Sequence, residues 1–163
     1  MNNYEIINQY GREYTEKPEK IRIASRAIIT DGDKILLSHE LNTGVYLIPG
    51  GGLEQGESLE DCCKREIREE TSYEITVGRH MFTVNEYYKN MLYISNYFLC
   101  EIVGRGEQSL TENEIEHGVI PDWVEIKKAL QIFGSYGDYA AINEEIEGQY
   151  KREYTVIKKY FKK

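Results

Sequence analysis

The chain contains little cysteine, and the residues it has are badly placed for cross-linking. Of 163 residues 3 are cysteines; Cys62 and Cys63 are adjacent, and Cys100 stands apart. An odd number with an adjacent pair makes a poor disulfide framework, and the absence of a Cys-x-x-Cys pair disfavours a zinc–thiolate site. We therefore expect reduced thiols in a cytoplasmic protein.

Long apolar runs are missing too. None approaches the roughly 18 residues that a membrane span requires. The opening residues, MNNYEIINQYGREYTEK, are polar and contain no apolar core of the kind found in secretory signals. The sequence therefore predicts a protein with no membrane partner.

The chain has fewer positively charged residues than negatively charged ones. Lysine and arginine total 20 against 28 aspartates and glutamates, which gives a formal net charge of −8. Nucleic-acid backbones are bound by basic patches, so this balance argues against a nucleic-acid partner. A small phosphate-bearing substrate would need bound cations or local arginines to offset the repulsion.

The composition that is present fits one globular domain, with 40% apolar and 29% charged residues. Residues 1–20 are polar and dotted with tyrosine, which predicts an N-terminal arm or an extra strand. Their composition is also compatible with a homodimer. Residues 21–163 predict a single domain that ends in a helix.

Strand signals dominate the first part of that domain. A β-branched run from Ile21 and the segment KILLSHE flank the turn residues 31–33, which predicts a hairpin. GVYLIPGGG predicts a third short strand. A helix then begins after the N-cap residue Ser58 and lasts to about Thr71.

The second part continues with two β-rich stretches joined at Lys89–Asn90, where another hairpin is expected. Residues 104–121 lack periodicity and predict a long loop. A short helix follows Trp123, and a helix with a basic end begins near Asp138. Strands, a helix, strands and then helices predict a mixed α/β or α+β sandwich.

The helix predicted after the glycines is rich in acidic residues, and some of them lie where a helix usually carries apolar residues. On a helical wheel three glutamates fall on or beside the apolar stripe instead of on the face that meets water. An uncompensated buried carboxylate costs several kcal/mol, and neighbouring carboxylates repel each other. The glutamates are Glu66, Glu69 and Glu70, and the stripe is Leu59, Cys62, Cys63 and Ile67. The residues expected on the opposite face, which meets water, are Glu60, Asp61, Lys64, Arg68 and Thr71.

Two kinds of compensation suit such a cluster. Hard divalent cations such as Mg²⁺ prefer carboxylate oxygens, which favours a metal site. A network of salt bridges built on Arg65 is the alternative, and the residues alone leave it open. The preceding Pro-Gly-Gly-Gly run lets backbone approach a ligand closely, but it lacks the Gly-Lys-Ser/Thr of a phosphate-binding loop.

These residues resemble the signature of the Nudix hydrolase family, G-x5-E-x7-R-E-U-x-E-E-x-G-U, in which U is a bulky apolar residue. The matching positions are Gly51, Glu57, Arg65-Glu66-Ile67 and Glu69-Glu70. Ser72 stands where the signature has its last glycine, and Tyr73 follows it. These two departures lie past the last carboxylate, so they affect the helix exit and leave the charged cluster whole.

The resemblance runs from about Ile21 to Leu130 and implies an α/β/α sandwich around a mixed sheet. It also implies hydrolysis of a nucleoside diphosphate linked to another group, with Mg²⁺ or Mn²⁺ as cofactor and a small nucleotide as substrate. Nucleotide sugars, ADP-ribose, dinucleoside polyphosphates and nucleoside triphosphates all remain open as substrates.

By the same resemblance each signature residue receives a role. The expected metal ligands are Glu66, Glu69, Glu70, Glu57 and the Gly51 carbonyl. Arg65 is expected to hold a carboxylate in place, and the general base is left undecided. Gly50, Gly51 and Tyr88 are the expected substrate contacts. A further catalytic carboxylate is expected from the long loop, with Glu114 preferred over Glu112 and Glu116.

Two other functions compete with the hydrolase. One is a nucleotide- or metabolite-binding regulator on the same fold, which the intact glutamates disfavour. The other is a prenyl diphosphate isomerase, which would require a catalytic cysteine and histidine ligands that the sequence does not cluster.

Overall fold

The computed structural model describes residues 3–106, 115 and 118–162. The chain divides into two compact units, Met1–Ile29 with Pro49–Leu110, and Thr30–Ile48 with Thr111–Lys163. Within the described residues, the helices are all too short or too polar to cross a membrane. The predicted loop carboxylates Glu112, Glu114 and Glu116 lie outside the described residues.

In the described residues, strands come first, then a helix, then strands and then helices, which is the order that the sequence predicts. The strands are β1 (Glu5–Tyr14), β2 (Lys20–Ile28), β3 (Thr30–Asp31), β4 (Lys34–Glu40), β5 (Tyr46–Leu47), β6 (Gly50–Gly52), β7 (Tyr73–Lys89), β8 (Met91–Arg105) and β9 (Val119–Glu125). The helices are α1 (Leu59–Thr71), α2 (Ile126–Gly134) and α3 (Glu144–Phe161), and a 3₁₀ turn spans Ser135–Tyr139.

The first unit is a five-stranded mixed sheet in the order β1-β7-β8-β2-β6. β1 pairs in parallel with β7, and β2 in parallel with β8. β7 and β8 are antiparallel, as are β2 and β6. Helix α1 contacts β2, β6 and β7, so it lies over the glycine strand at the end of the sheet.

The predicted hairpin between β2 and β4 is wrong. β2 pairs with β8 and β6 instead, and its residues from Ala24 to Ile28 are almost all buried. The turn itself is where the sequence predicts it, with Gly32 at φ 59°, but it joins β4 only to the two residues of β3. A local turn signal identified the reversal but carried no information on the strand's long-range partners.

GVYLIPGGG is also two strands instead of one. Pro49 separates β5 from β6, and proline has no N–H to donate to a continuous ladder. β5 pairs with β4 and β6 pairs with β2. The strand Gly50–Gly52 therefore lies at the edge of the first unit's sheet.

Two local predictions are confirmed. Ser58 caps α1 by accepting a hydrogen bond from the Asp61 N–H at 3.0 Å. β7 and β8 form a hairpin in which Tyr88 pairs with Met91, so the loop is Lys89–Asn90. Lys89 takes a positive φ of 51°, as two-residue hairpin loops require.

In the second unit β4 pairs antiparallel with β3, β5 and β9. α3 begins at Glu144, capped by Asn143, and runs through Gly148 without a break. The segment near Asp138, predicted to start this helix, is a 3₁₀ turn. Buried Glu153 accepts a hydrogen bond from the Ile48 N–H, which anchors the end of β5 to α3.

Candidate active site

Helix α1 presents its glutamates as the helical wheel predicts. Cys62, Cys63 and Ile67 are fully buried. Glu70 is 7% exposed, and the side chains of Glu66 and Glu69 are 14% and 28% exposed. The carboxylates therefore lie at the boundary between the core and water.

One position on the wheel is wrong. Thr71 was expected to face water, but it is buried and donates a hydrogen bond from its hydroxyl to the Ile67 carbonyl at 2.6 Å. Thr71 is the last residue of α1, and β7 begins at Tyr73, so a wheel drawn for a regular helix does not describe the surroundings of Thr71.

Arg65 is the centre of the carboxylate cluster. Its guanidinium donates to both oxygens of Glu57 at 2.7 and 3.0 Å, which is a bidentate pair. It also donates to Glu66 at 2.9 Å and to Glu69 at 3.3 Å. One arginine therefore holds three of the predicted metal-ligand carboxylates together.

This pairing sets the charge states. The hydrogen bond from Arg65 is the main reason why the pKa of Glu57 falls to about 2. The same carboxylates raise the pKa of Arg65 above its ordinary value, Glu57 first. A hydrogen bond to the ionised form favours that form, so the Glu57–Arg65 pair is charged at neutral pH.

The glycine strand brings backbone against these carboxylates. A side chain on Gly51 would collide with the Glu66 carboxyl group, so glycine leaves the space that Glu66 fills. The Gly50 N–H donates to Glu70 at 3.2 Å. Gly50 has a φ of 154° and lies so close to Ser25 and Arg26 that a side chain would clash with backbone.

Two members of the cluster are not predicted by the sequence. The Gly52 carbonyl accepts from Arg65 at 2.9 Å, and Glu54 lies 3.7 Å from the same guanidinium. The glycine run that contains Gly51 could have indicated Gly52 as well. No feature of the sequence distinguishes Glu54, because acidic residues are common in this segment.

Ser72 takes over the role of the missing signature glycine. It is the C-cap of α1 with φ 68° and ψ 0°, which is the left-handed conformation. Its N–H donates to the Arg68 carbonyl at 3.0 Å, so the helix ends as a glycine would end it. The departure from the signature changes the residue and keeps the geometry.

Tyr88 lies far from the carboxylates. In the sheet, Gly51 beside Glu66 is level with Thr83 of β7, because Gly51 pairs with Ser25, Ser25 with Asn96, and Asn96 with Thr83. Tyr88 lies five residues beyond Thr83, at the hairpin end of β7. At about 3.3 Å per residue the separation along the strand alone is about 17 Å. Its ring lies against Gly11 of β1 and near the Lys89 ammonium.

The donor set suits a hard divalent cation in its chemistry. It consists of carboxylate oxygens on one helix face beside a glycine strand that leaves them room. In the described part of the chain, however, no three histidine, cysteine, aspartate or glutamate side chains already surround a common ion position. Glu57, Glu66 and Glu69 are turned toward Arg65, so an ion would have to draw some of them from it.

Several known proteins are similar to this chain in part of their sequence or in their fold. A family model described as NUDIX domain matches residues 20–144. Proteins named NAD-capped RNA hydrolase NudC are similar over shorter segments. The Pseudomonas putida (strain W619) protein is 51% identical over 51 residues, and the Pseudomonas fluorescens (strain Pf0-1) protein is 37% identical over 91 residues. These segments cover 30% and 55% of this chain, and 18% and 32% of the two relatives' lengths.

A solved structure confirms the fold class. The MutT protein from Methanosarcina mazei Go1 superimposes with a TM-score of 0.62 over 91% of this chain and 99% of its own, at 22% identity. The prediction of a mixed α/β fold of this type is therefore confirmed, whereas the roles of individual site residues stay predictions. On the family model, which covers most of the chain, the protein belongs to the Nudix family.

Proposed function

We propose that the protein is a metal-dependent pyrophosphohydrolase that cleaves the diphosphate linkage of a nucleoside diphosphate derivative. The observation that carries the proposal is the convergence of Glu57, Glu66 and Glu69 on Arg65, beside a glycine that leaves room for Glu66. Nudix hydrolases generally use divalent metal ions.

The residues that would hold Mg²⁺ or Mn²⁺ are Glu66, Glu69 and Glu70, with Glu57 and the Gly51 carbonyl as further oxygen donors. When bound, such an ion neutralises phosphate charge and lowers the pKa of a water molecule. Glu66, Glu69 and Glu70 come from one rigid helix, so their spacing is fixed before substrate arrives.

The chain's own residues supply positioning and proton transfer. Arg65 orients Glu57 and Glu66 through charge-assisted hydrogen bonds, and its pairing with Glu57 keeps that carboxyl ionised. A glutamate of the cluster that is released from Arg65 accepts the proton of the attacking water. Glu114, which lies outside the described residues, remains the preferred further carboxylate.

The substrate is proposed to be a small nucleotide with a diphosphate linkage. The relatives are named NAD-capped RNA hydrolases, so NAD and NAD-capped RNA belong in a test panel together with ADP-ribose, nucleotide sugars and dinucleoside polyphosphates. The net charge of −8 favours the small nucleotides over RNA, because an acidic surface repels a phosphate backbone.

The test is product analysis on that panel with Mg²⁺, with Mn²⁺ and with chelator. The proposal predicts metal-dependent turnover that gives two monophosphate products from a dinucleotide. Calorimetric titration with Mn²⁺ gives an independent readout of the ion site. Tight nucleotide binding without turnover on any substrate would identify a binding regulator instead.

A further inference from the structure

Arg65 has no hydrogen-bond donor left over for a substrate. A guanidinium group carries five N–H donors. Nε and one N–H of Nη2 donate to Glu57, and the two N–H groups of Nη1 donate to Glu66 and Glu69. The last N–H of Nη2 donates to the Gly52 carbonyl. A phosphate group could therefore bind Arg65 only by displacing one of these partners.

Arg22 of β2 offers a second guanidinium group beside the same glycine strand. The position that a side chain on Gly52 would take lies 3.3 Å from Nη2 of Arg22 and 3.6 Å from its Nε. Because glycine has no side chain, the guanidinium group lies directly over the strand. Arg22 is exposed, and among the described residues its guanidinium group makes no hydrogen bond and no ion pair. Its donors are therefore available to a ligand.

Gly52 connects this guanidinium group with the carboxylate cluster. Its carbonyl oxygen is 2.9 Å from Nη2 of Arg65, and its side-chain position is 3.3 Å from Nη2 of Arg22. A single residue separates the two arginines, so their Nη2 atoms are within about 10 Å of each other. Among the described residues β6 is the last strand of its sheet, so a ligand at this edge can meet the carboxylates and Arg22 at the same time.

Two other arginines near α1 and β6 are already engaged. Arg68 donates to both carboxylate oxygens of Glu74, at 2.7 and 3.1 Å. Arg26 is half-buried, lies against Gly50 and has interactions within the protein. Arg22 differs from both, because it combines an exposed position with contact to the glycine strand.

We propose that Arg22 binds a phosphate group of the substrate at the edge of β6, next to the carboxylates that would hold the metal ion. This inference rests on the proposed function, because it assigns a substrate contact in the same site. The phosphates of a diphosphate are negatively charged, and the glutamates of the cluster repel them. Arg22 supplies the opposite charge, and its planar group can donate two parallel hydrogen bonds to phosphate oxygens.

Calorimetric titration with methylenediphosphonate in the presence of Mg²⁺ tests the contact without turnover, because water does not cleave the P–C–P bridge of this diphosphate analogue. We expect Arg22→Gln to weaken binding by about 10- to 100-fold, the usual cost of losing hydrogen bonds to a charged group. Lys20→Gln is the matched control. It removes the same charge from an exposed residue of the same strand and face, about 7 Å further along β2. At physiological salt this control should change the affinity by less than about twofold.

The outcomes separate this contact from the proposed activity. Equal affinities of Arg22→Gln and Lys20→Gln for the analogue would overturn the role of Arg22, while hydrolysis of the substrate panel by the wild type would still stand. Wild type that does not bind the analogue with Mg²⁺ would also overturn it. If only Arg22→Gln loses affinity and the wild type turns over no substrate, the contact is supported and the proposed hydrolysis is wrong.

Discussion

Arg65 and Glu57 are joined by two parallel hydrogen bonds, from Nε at 2.7 Å and from Nη2 at 3.0 Å. Glu57 precedes α1 and Arg65 lies within it, so the pair ties the loop after the glycine strand to the helix that carries the other carboxylates. Because the pKa of Glu57 is lowered to about 2, the pair stays ionised through the neutral pH range.

Arg65→Lys should lower kcat/KM by about 10- to 100-fold, the usual cost of removing a group that orients metal ligands. Lysine is a point charge and cannot hold Glu57 through two parallel bonds while reaching Glu66 and Glu69. The matched control is Arg68→Lys, because Arg68 makes a similar two-point pair with exposed Glu74, at 2.7 and 3.1 Å. Equal losses in the two variants would contradict the special position of Arg65.

Gly51→Ala should lower activity by about 100-fold without unfolding the protein, since a misplacement of about 1 Å at a reacting centre has that effect. The added methyl group meets the mobile end of Glu66 and not backbone, so the carboxylate moves while the strand stays in place. Gly137→Ala is the control, because nothing lies within 4 Å of its added methyl group. Steady-state kinetics measures the activity of both variants, and circular dichroism shows whether both remain folded. An active Gly51→Ala variant would contradict the prediction.

Ser72→Gly should raise the free energy of unfolding by about 0.5–1 kcal/mol, because it removes the strain of a left-handed residue with a side chain. Ser135→Gly should have the opposite sign. Ser135 also follows a helix, but its φ is −81° and its hydroxyl donates to the Ile132 carbonyl at 2.6 Å. Urea denaturation measures both, and a destabilised Ser72→Gly variant would contradict the strain argument.

His80 should make stability depend on pH. Burial lowers its pKa below the ordinary 6.5 of the unfolded chain, so the unfolded state binds a proton that the folded state resists. The contribution is complete above pH 6.5 and is lost as pH falls from there toward the lower folded-state pKa.

The comparison variant is His80→Phe, which keeps an aromatic ring between Tyr4 and Phe98. Urea denaturation between pH 5 and 8 should show a smaller loss on acidification in His80→Phe than in wild type. If the free energy of unfolding falls equally on acidification in wild type and in His80→Phe, His80 is not the cause of the pH dependence.

Local signals in the sequence predicted local structure well. The Ser58 cap, the Lys89–Asn90 turn and the acid-bearing face of α1 each depend on residues within a few positions of one another, and all are confirmed. The signature spacing likewise identified the glutamates, because residues three and four apart on a helix share a face.

Local signals could not predict which strands pair with each other when the strands lie far apart in the sequence. The partners of β2 are β6 and β8, and β8 is far along the chain, so the neighbouring KILLSHE segment was chosen wrongly. The parallel pairing of β1 with β7 has no sequence signature of its own. The Gly52 carbonyl was missed because its contact with Arg65 depends on how a strand edge meets a helix.

The role of the helix carboxylates is measured by comparing Glu66→Gln with Glu60→Gln in Mg²⁺-dependent hydrolysis of the best substrate in the panel. Glu66 lies against Gly51 and Arg65, whereas Glu60 is an exposed acid in the first turn of the same helix. We expect kcat to fall by about 100-fold or more for Glu66→Gln and to stay within about twofold of wild type for Glu60→Gln, if Glu66 holds the metal ion. Full activity of a folded Glu66→Gln variant would contradict this role.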